Sequence, residues 1–359
     1  MLSEPLRHSA LDAALAAGLL PDAVLGVGSK IGVEMLSRGL LRGGAEAQER
    51  RLQALLARLR SGPVADALDV ANAQHASLSA EFFELVLGPR LKYSGCLWPP
   101  GAGGLADAED AMLELTCERA EVRDGMRVLD LWCGWGALSL WIAERYPNAR
   151  VVALANSAAQ RQYVATRGET MGLTNLTVTR ADMNGYSAEV PFDRILSIEM
   201  FEHMRNWAEL LRRISMWLRP DGRLFMQLFT HRCAPYLLEE TSPSARLFSA
   251  GLMPSHDLPL MFQENLKIEH RWAVSGVHYA RTLQAWLGQL DANHTDLLAV
   301  LRRSGRTRGE ARQMLASWRL FLIAAAATWA SSDGGRWLVS HYLFASREEG
   351  GVTPDVLWR

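Results

Sequence analysis

Val128, Leu129 and Leu131 form a short apolar run with Asp130 at its end, which predicts a buried strand. Gly134 and Gly136 follow, where the backbone must turn tightly, and residues 137–145 then carry apolar positions at helical spacing. Strand, glycine turn and helix together make a nucleotide cradle. The same alternation continues downstream. Residues 150–154, 176–179, 192–198 and 224–229 read as further strands. Between them lie a helix capped by Ser157 and closed by Gly172, a helix over 207–218, and an R-P-D-G turn at 219–222. Residues 266–274 and 337–345 read as late strands, and 281–288 and 312–330 as helices between them. The pattern predicts an α/β fold, a doubly wound mixed sheet with an antiparallel edge.

The flanks follow a different rhythm. Residues 1–90 have helical spacing, with Leu11, Leu15, Leu19 and Leu20 on one face and Leu52, Leu55, Leu56 and Leu59 on another. This N-terminal helical region is expected to pack over the site mouth or to form an oligomer surface such as a homodimer face. Residues 91–359 form the second, larger unit. Within it, 93–104 (Y-S-G-C-L-W-P-P-G-A-G-G) predicts a loop carrying Tyr93 and Trp98. A helix follows over 106–120, with Asp107, Glu109 and Asp110 in its first turn. Residues 232–262 are aperiodic and hold Pro235, Pro243, Pro254 and Pro259, which suits a mobile cover. Residues 281–330 form a helical insertion.

Composition narrows the class. The chain has 359 residues, 49% of them hydrophobic and 21% charged, so it is globular. Its net charge of −1 gives no basic footprint for nucleic acid. Lysine stands only at Lys30, Lys92 and Lys267, and this arginine bias associates with GC-rich bacterial genomes. Cys96, Cys117, Cys133 and Cys233 show no C-x-x-C spacing, so a reduced, cytoplasmic chain is expected. Glu4, Arg7, His8 and Asp12 interrupt the start, which argues against a signal peptide. The apolar stretch 320–330 is about half a membrane span and reads as a buried helix, so no stable membrane insertion is expected.

The cradle discriminates among ligands. A nicotinamide site calls for G-x-G-x-x-G and an acid about 20 residues later. Here Ser139 stands at the third glycine position and the second strand ends in Leu154-Ala155-Asn156-Ser157. An acid ahead of the glycines, Asp130, suits a ligand with an ammonium group near the turn, as in S-adenosylmethionine. Further on, Glu199, Glu202 and His203 follow the fourth strand, where such sheets present ligands. If helical, the segment places Glu199 one turn before His203 on a shared face. Methyl transfer to an amine needs a free lone pair, and a carboxylate or imidazole can take the proton. The alternatives are a capping and ion-pair cluster with Arg205, or a metal site that lacks a clear third ligand.

These motifs resemble the cyclopropane-fatty-acid-synthase superfamily, and within it the coclaurine N-methyltransferase branch. The resemblance rests on Y-S at 93–94, L-D-L-x-C-G-W-G at 129–136, N-S-x-x-Q at 156–160 and A-D at 181–182. It continues through D-R-I-L-S-I-E-M-F-E-H-M at 193–204 and V-x-G-x-H-Y-A-R-T at 274–282, and so covers roughly residues 90–345. It implies a class I methyltransferase (Rossmann-like) fold with S-adenosylmethionine as donor. Tyr93, Ser94, Asp130, Gly134, Gly136 and Ile198 would then meet the methionine end or the turn. Asn156 and Gln160 would lie near the ribose, and Asp182 and Met183 near the adenine.

The implied activity is N-methylation of a small amine, with Glu199, Glu202 and His203 catalytic. Trp98, Tyr279, Phe321 and Trp329 are candidate substrate contacts, although each aromatic alone also suits a core. The lipid branch of the superfamily holds bicarbonate with a cysteine and a histidine, where this chain has Gly95 (with Cys96 one residue away) and Leu228. Ala327 replaces a glutamate of the plant branch, so a benzylisoquinoline acceptor does not carry over. Trp132 stands where the superfamily keeps glycine. It is expected to weaken donor binding, with its ring turned away from the donor or covering it. A non-catalytic binding protein is the reading that this residue keeps open.

Overall fold

In the computed structural model, which describes residues 22–65, 78–238 and 251–347, seven strands form one sheet in the order β3-β2-β1-β4-β5-β9-β8. Five of them, β1 (Arg127–Asp130), β2 (Arg150–Ala155), β3 (Leu176–Arg180), β4 (Phe192–Ile198) and β5 (Leu218–His231), are parallel. Strand β9 (Trp337–Ser346) runs antiparallel to β5 and to the edge strand β8 (Leu266–Ser275). A short pair, β6 (Tyr236–Leu238) with β7 (Gly251–Met253), lies beside this sheet.

The helices are α1 (Asp22–Leu40), α2 (Gly44–Arg58), α3 (Ala80–Val86), α4 (Leu105–Arg119) and α5 (Ala137–Arg145). They continue as α6 (Ala158–Thr170), α7 (Trp207–Trp217), α8 (Gly276–Ala292), α9 (His294–Arg303) and α10 (Arg308–Trp329). The period-2 alternation of the strands separates two cores. Leu129, Ile195, Leu224 and Met226 face α7 and α2, while Val128, Leu196, Phe225 and Leu343 face α4 and α5. A third core fills the cover made by α3, α8, α9 and α10, built on Phe82, Phe83, Trp286, Leu290, Trp318 and Leu322. The predicted buried helix at 320–330 is the end of α10, with Phe321, Leu322, Ala326 and Trp329 buried. No described helix is long and apolar enough to cross a membrane.

Two predicted features take a different form. The R-P-D-G segment at 219–222 does not end the helix before a new strand. It bulges out inside β5, where the pairing with β4 jumps from Phe192↔Leu218 to Arg194↔Arg223. Gly222 makes room, since a Cβ there would meet the backbone of Arg219 and Phe192 at 3.0 Å. The helix predicted over 281–288 extends to Gly276–Ala292, and α9 follows it unpredicted. Ser275 starts α8 by accepting from Val277 N at 3.3 Å.

The helices of the N-terminal region go to separate places. Helix α1 packs on α10, α2 buries Leu55 and Leu56 in the core under the sheet, and α3 joins the cover. The leucine stripe at Leu11, Leu15, Leu19 and Leu20 lies outside the described residues, as does the 239–250 part of the predicted cover.

Candidate active site

A cavity opens at the carboxyl edge of the sheet, between β1 and β4, where strand order reverses. Its donor side is built from the glycine turn. Gly134, with φ 53°, lines the cavity together with Asp130, Trp132 and Cys133. Gly136 lies just behind. It has φ 86°, and a Cβ there would come within 2.8 Å of Val164, so it serves the packing of α5 on α6. Asp130 is buried, and Ser139 Oγ donates to its Oδ2 at 2.6 Å. Burial raises the Asp130 carboxyl to about 6 against the pull of that bond. Tyr93, Ser94, Asn156, Gln160 and Ile198 complete this side. Asp182 and Met183 follow β3 and lie outside the lining, with Met183 packed into the core.

Among the described residues Asp130 Oδ1 and Gln160 Oε1 are buried acceptors without a hydrogen-bond partner, although the Trp132 backbone N–H lies near enough to the Asp130 carboxyl to favour its charge. Such oxygens are costly unless a ligand supplies donors. The ammonium and ribose hydroxyls of S-adenosylmethionine are of that kind, so the residues fit this group.

Glu199 also lines the cavity. It leaves β4 with φ 49°, a left-handed conformation that a non-glycine residue adopts at a cost of about 1–3 kcal/mol. This turn corrects the expected helix, because helical geometry covers only Phe201–His203 as a 3-10 turn. Glu199 and His203 nonetheless line the same cavity. Gly95 N and Gln227 Nε2 donate to Glu199 Oε1 at 3.1 and 3.0 Å, and the Tyr279 hydroxyl donates to Oε2 at 2.9 Å. A carboxylate offers about four acceptor sites. Three are filled, and the open one is on Oε2. Burial raises the Glu199 carboxyl above its usual range, opposed first by the Lys92 charge. The same burial, with the carboxylate beside it, keeps the Tyr279 phenol protonated.

Glu202 does not join Glu199 at the cavity. Its Oε1 accepts from Phe229 N at 2.8 Å inside the protein. Burial and the nearby Glu199 charge push its pKa well above the usual value. Trp132 lies against the His203 ring, with centroids 5.9 Å apart and planes inclined by 35°. Its indole is half-buried, and its backbone is not among the positive-φ positions of the described residues.

Of the aromatic candidates, Tyr279 and Phe321 line the cavity and Trp98 and Trp329 do not. Trp98 packs behind it, with Nε1 donating to Thr282 Oγ1 at 3.0 Å. Trp329 buttresses Tyr279 edge-on at 4.9 Å. Trp135, Phe229 and Trp286 also line the cavity, although none of them is a sequence-predicted site residue.

Lys92 and Gln227 were missed outright. Lys92 is buried, and its Nζ donates to Ser94 Oγ at 2.6 Å and Gly95 O at 2.7 Å, which fixes the loop that caps Glu199. A buried lysine in a chain with three lysines was the available signal. Gln227 lies inside an apolar strand run, and a buried amide there was the other.

At the positions where the lipid branch holds bicarbonate, Gly95 offers only its N–H to Glu199, and Leu228 is buried. A Cβ at Gly95 would stand 3.2 Å from Tyr279 and Val339. Cys96 is buried outside the cavity lining, its N donating to Thr282 Oγ1 at 3.2 Å.

Residues 46–332 match the family described as mycolic acid cyclopropane synthetase. An (S)-coclaurine N-methyltransferase of Thalictrum flavum subsp. glaucum is 35% identical over 310 residues, 84% of this chain and 86% of that protein. The (S)-coclaurine N-methyltransferase of Papaver somniferum is 32% identical over 92% of this chain and 96% of its own length. A crystal structure of a coclaurine N-methyltransferase bound to N-methylheliamine and SAH superposes with TM-score 0.89 at 33% identity. That match covers 94% of this chain and 99% of the other.

Proposed function

The chain belongs to the mycolic acid cyclopropane synthetase family and is an S-adenosylmethionine-dependent methyltransferase; from that premise we propose that it methylates the nitrogen of a small aryl-alkyl amine. The observation that carries this reading is Glu199, a half-buried carboxylate held by three donors in a cavity lined by Tyr279, Phe229, Trp286 and Phe321. Aromatic faces and one carboxylate suit an organic cation.

Asp130, Gly134, Asn156 and Gln160 hold the donor, which brings an electrophilic methyl on a sulfonium. The open site on Glu199 Oε2 accepts an N–H of the amine and turns its lone pair toward the donor side. Proton removal falls to Glu199 or to His203 beside it, since Glu202 lies outside the cavity lining with its Oε1 engaged by Phe229 N. Positioning then does most of the work. Cytoplasmic residence fits four free cysteines, of which only Cys233 is exposed.

Glu199→Ala is expected to abolish transfer while calorimetry shows donor binding largely intact. Normal turnover at saturating donor, with donor affinity lost instead, would contradict the role assigned to Glu199. Methyl or methylene transfer to unsaturated phospholipid is the competing reading, and the Tyr279 ring against Gly95 disfavours it. Phospholipid assays with and without bicarbonate separate the two.

A further inference from the structure

We propose that His341 is a positioning residue for the transfer reaction, holding the Gln227 amide with its NH2 toward Glu199. The inference rests on the reading that Glu199 meets the acceptor amine. His341 on β9 and Gln227 on β5 are directly paired, so their side chains rise from the same face of the sheet. Both are fully buried. Phe225, two residues before Gln227, meets the His341 ring edge-on at 5.1 Å, which brings the imidazole against β5.

The neighbour of the imidazole fixes its proton. Arg119, the last residue of α4, stands with Nη1 2.9 Å from His341 Nδ1. A guanidinium only donates, so Nδ1 accepts, the ring is neutral and its N–H is on Nε2. Arg119 is held in turn over the ring of Trp272 at 4.9 Å, and Trp272 pairs with His341 from β8. Among the described residues His341 Nε2 and Gln227 Oε1 have no hydrogen-bond partner. A buried donor and a buried acceptor therefore stand on opposed residues, and joining them, directly or through one water, removes both penalties. At the other end of the amide, Gln227 Nε2 donates to Glu199 Oε1 at 3.0 Å. An amide can stand two ways round. A charged Glu199 selects the NH2 by itself, but a Glu199 that has taken up a proton meets either end of the amide. His341 keeps the carbonyl turned away, so the donor that favours the carboxylate stays in place through turnover.

The test uses the full chain and the side-chain amide NMR signals of Gln227, identified as those lost in Gln227→Leu. His341→Phe keeps a ring against Phe225 and removes both nitrogens. It is expected to shift the Gln227 amide signals and to lower kcat at least about tenfold, while the donor dissociation constant changes little. His341→Gln, whose amide again offers an acceptor to Arg119 and a donor to Gln227, recovers most of the loss and guards against a folding artefact of the phenylalanine variant. Gln227→Leu reproduces the loss, and combining it with His341→Phe costs no more than Gln227→Leu alone. Four results overturn the proposal: Gln227 signals that do not move in His341→Phe, kcat unchanged in that variant, a glutamine variant no better than phenylalanine, or losses that multiply in the double variant. With Glu199→Ala inactive, these results count against His341 alone. Transfer that survives in Glu199→Ala would sink the role of Glu199 itself, and the positioning role with it.

Discussion

Asp130 shows what a binding site does to a single side chain. Its carboxyl stands at about 6 rather than 3.8 because burial disfavours the charge, and among the described residues its Oδ1 has no hydrogen-bond partner. The consequence for stability has a definite sign. Between pH about 4 and 6 the unfolded chain loses this proton and the folded chain keeps it, so stability falls as pH rises through that window. The shift amounts to about 3 kcal/mol above pH 6, an order of magnitude only. Asp130→Asn keeps an acceptor for Ser139 and removes the buried charge. The ligand-free variant is therefore expected to melt higher than wild type at pH 7 and equally at pH 4, while its affinity for S-adenosylmethionine drops at least about tenfold. Scanning calorimetry at the two pH values checks the first half and titration calorimetry the second. A variant that melts lower at pH 7 would show that the Asp130 charge stabilises the folded chain even without a ligand.

Elements transmit such constraints, and α8 does so most directly. Gly276 begins the helix, and a Cβ there would stand 2.2 Å from Trp337 O and 2.5 Å from Trp329 O. Both obstacles are backbone, so they cannot rotate away. One turn later Tyr279 presents its hydroxyl to Glu199. Gly276→Ala must push α8 off β9 and α10, and the expected cost is about 2–3 kcal/mol, read as a lower urea midpoint. Activity at a temperature where the variant remains folded should fall further than stability accounts for, because the Tyr279 bond lengthens. Full specific activity in the folded variant would show that α8 yields without moving Tyr279.

The same scale shows what the sequence could announce. Strands β1 to β4 and helices α5 and α6 were legible because their apolar spacing and caps are local. Helix α9 and the ends of α8 were not, since their limits depend on tertiary neighbours such as the Gly276 contact. The site divides likewise. Glu199, His203 and Asp130 were visible as polar breaks at strand ends. The inward turn of Glu202 and the support from Lys92 and Gln227 depend on pairing between distant segments. The left-handed φ of Glu199 has no signature in residue type. The arginine bias remains an association, and the two relatives named above are plant proteins.

At the scale of the molecule, the site lies where the sheet meets the helical cover, and Trp135 joins them. It belongs by sequence to the glycine turn after β1, yet it is buried in the core of the cover. Its ring meets Phe83 of α3 at 5.1 Å and Tyr163 of α6 at 5.4 Å. Donor loop and cover therefore share one packed contact, and a ligand that orders the loop stabilises both. Saturating donor at about 100 times its dissociation constant adds about 2.7 kcal/mol to the folded state. In the wild type this should raise a single calorimetric transition by a few degrees. Trp135→Ala leaves a cavity between the two parts, at a cost of about 3–5 kcal/mol. It should split unfolding into a cover transition and a sheet transition, and only the sheet transition should then move with added donor. A single transition in the variant, still raised by donor as in the wild type, would mean that the cover is tied to the sheet through α8 and β9 and that Trp135 adds packing alone.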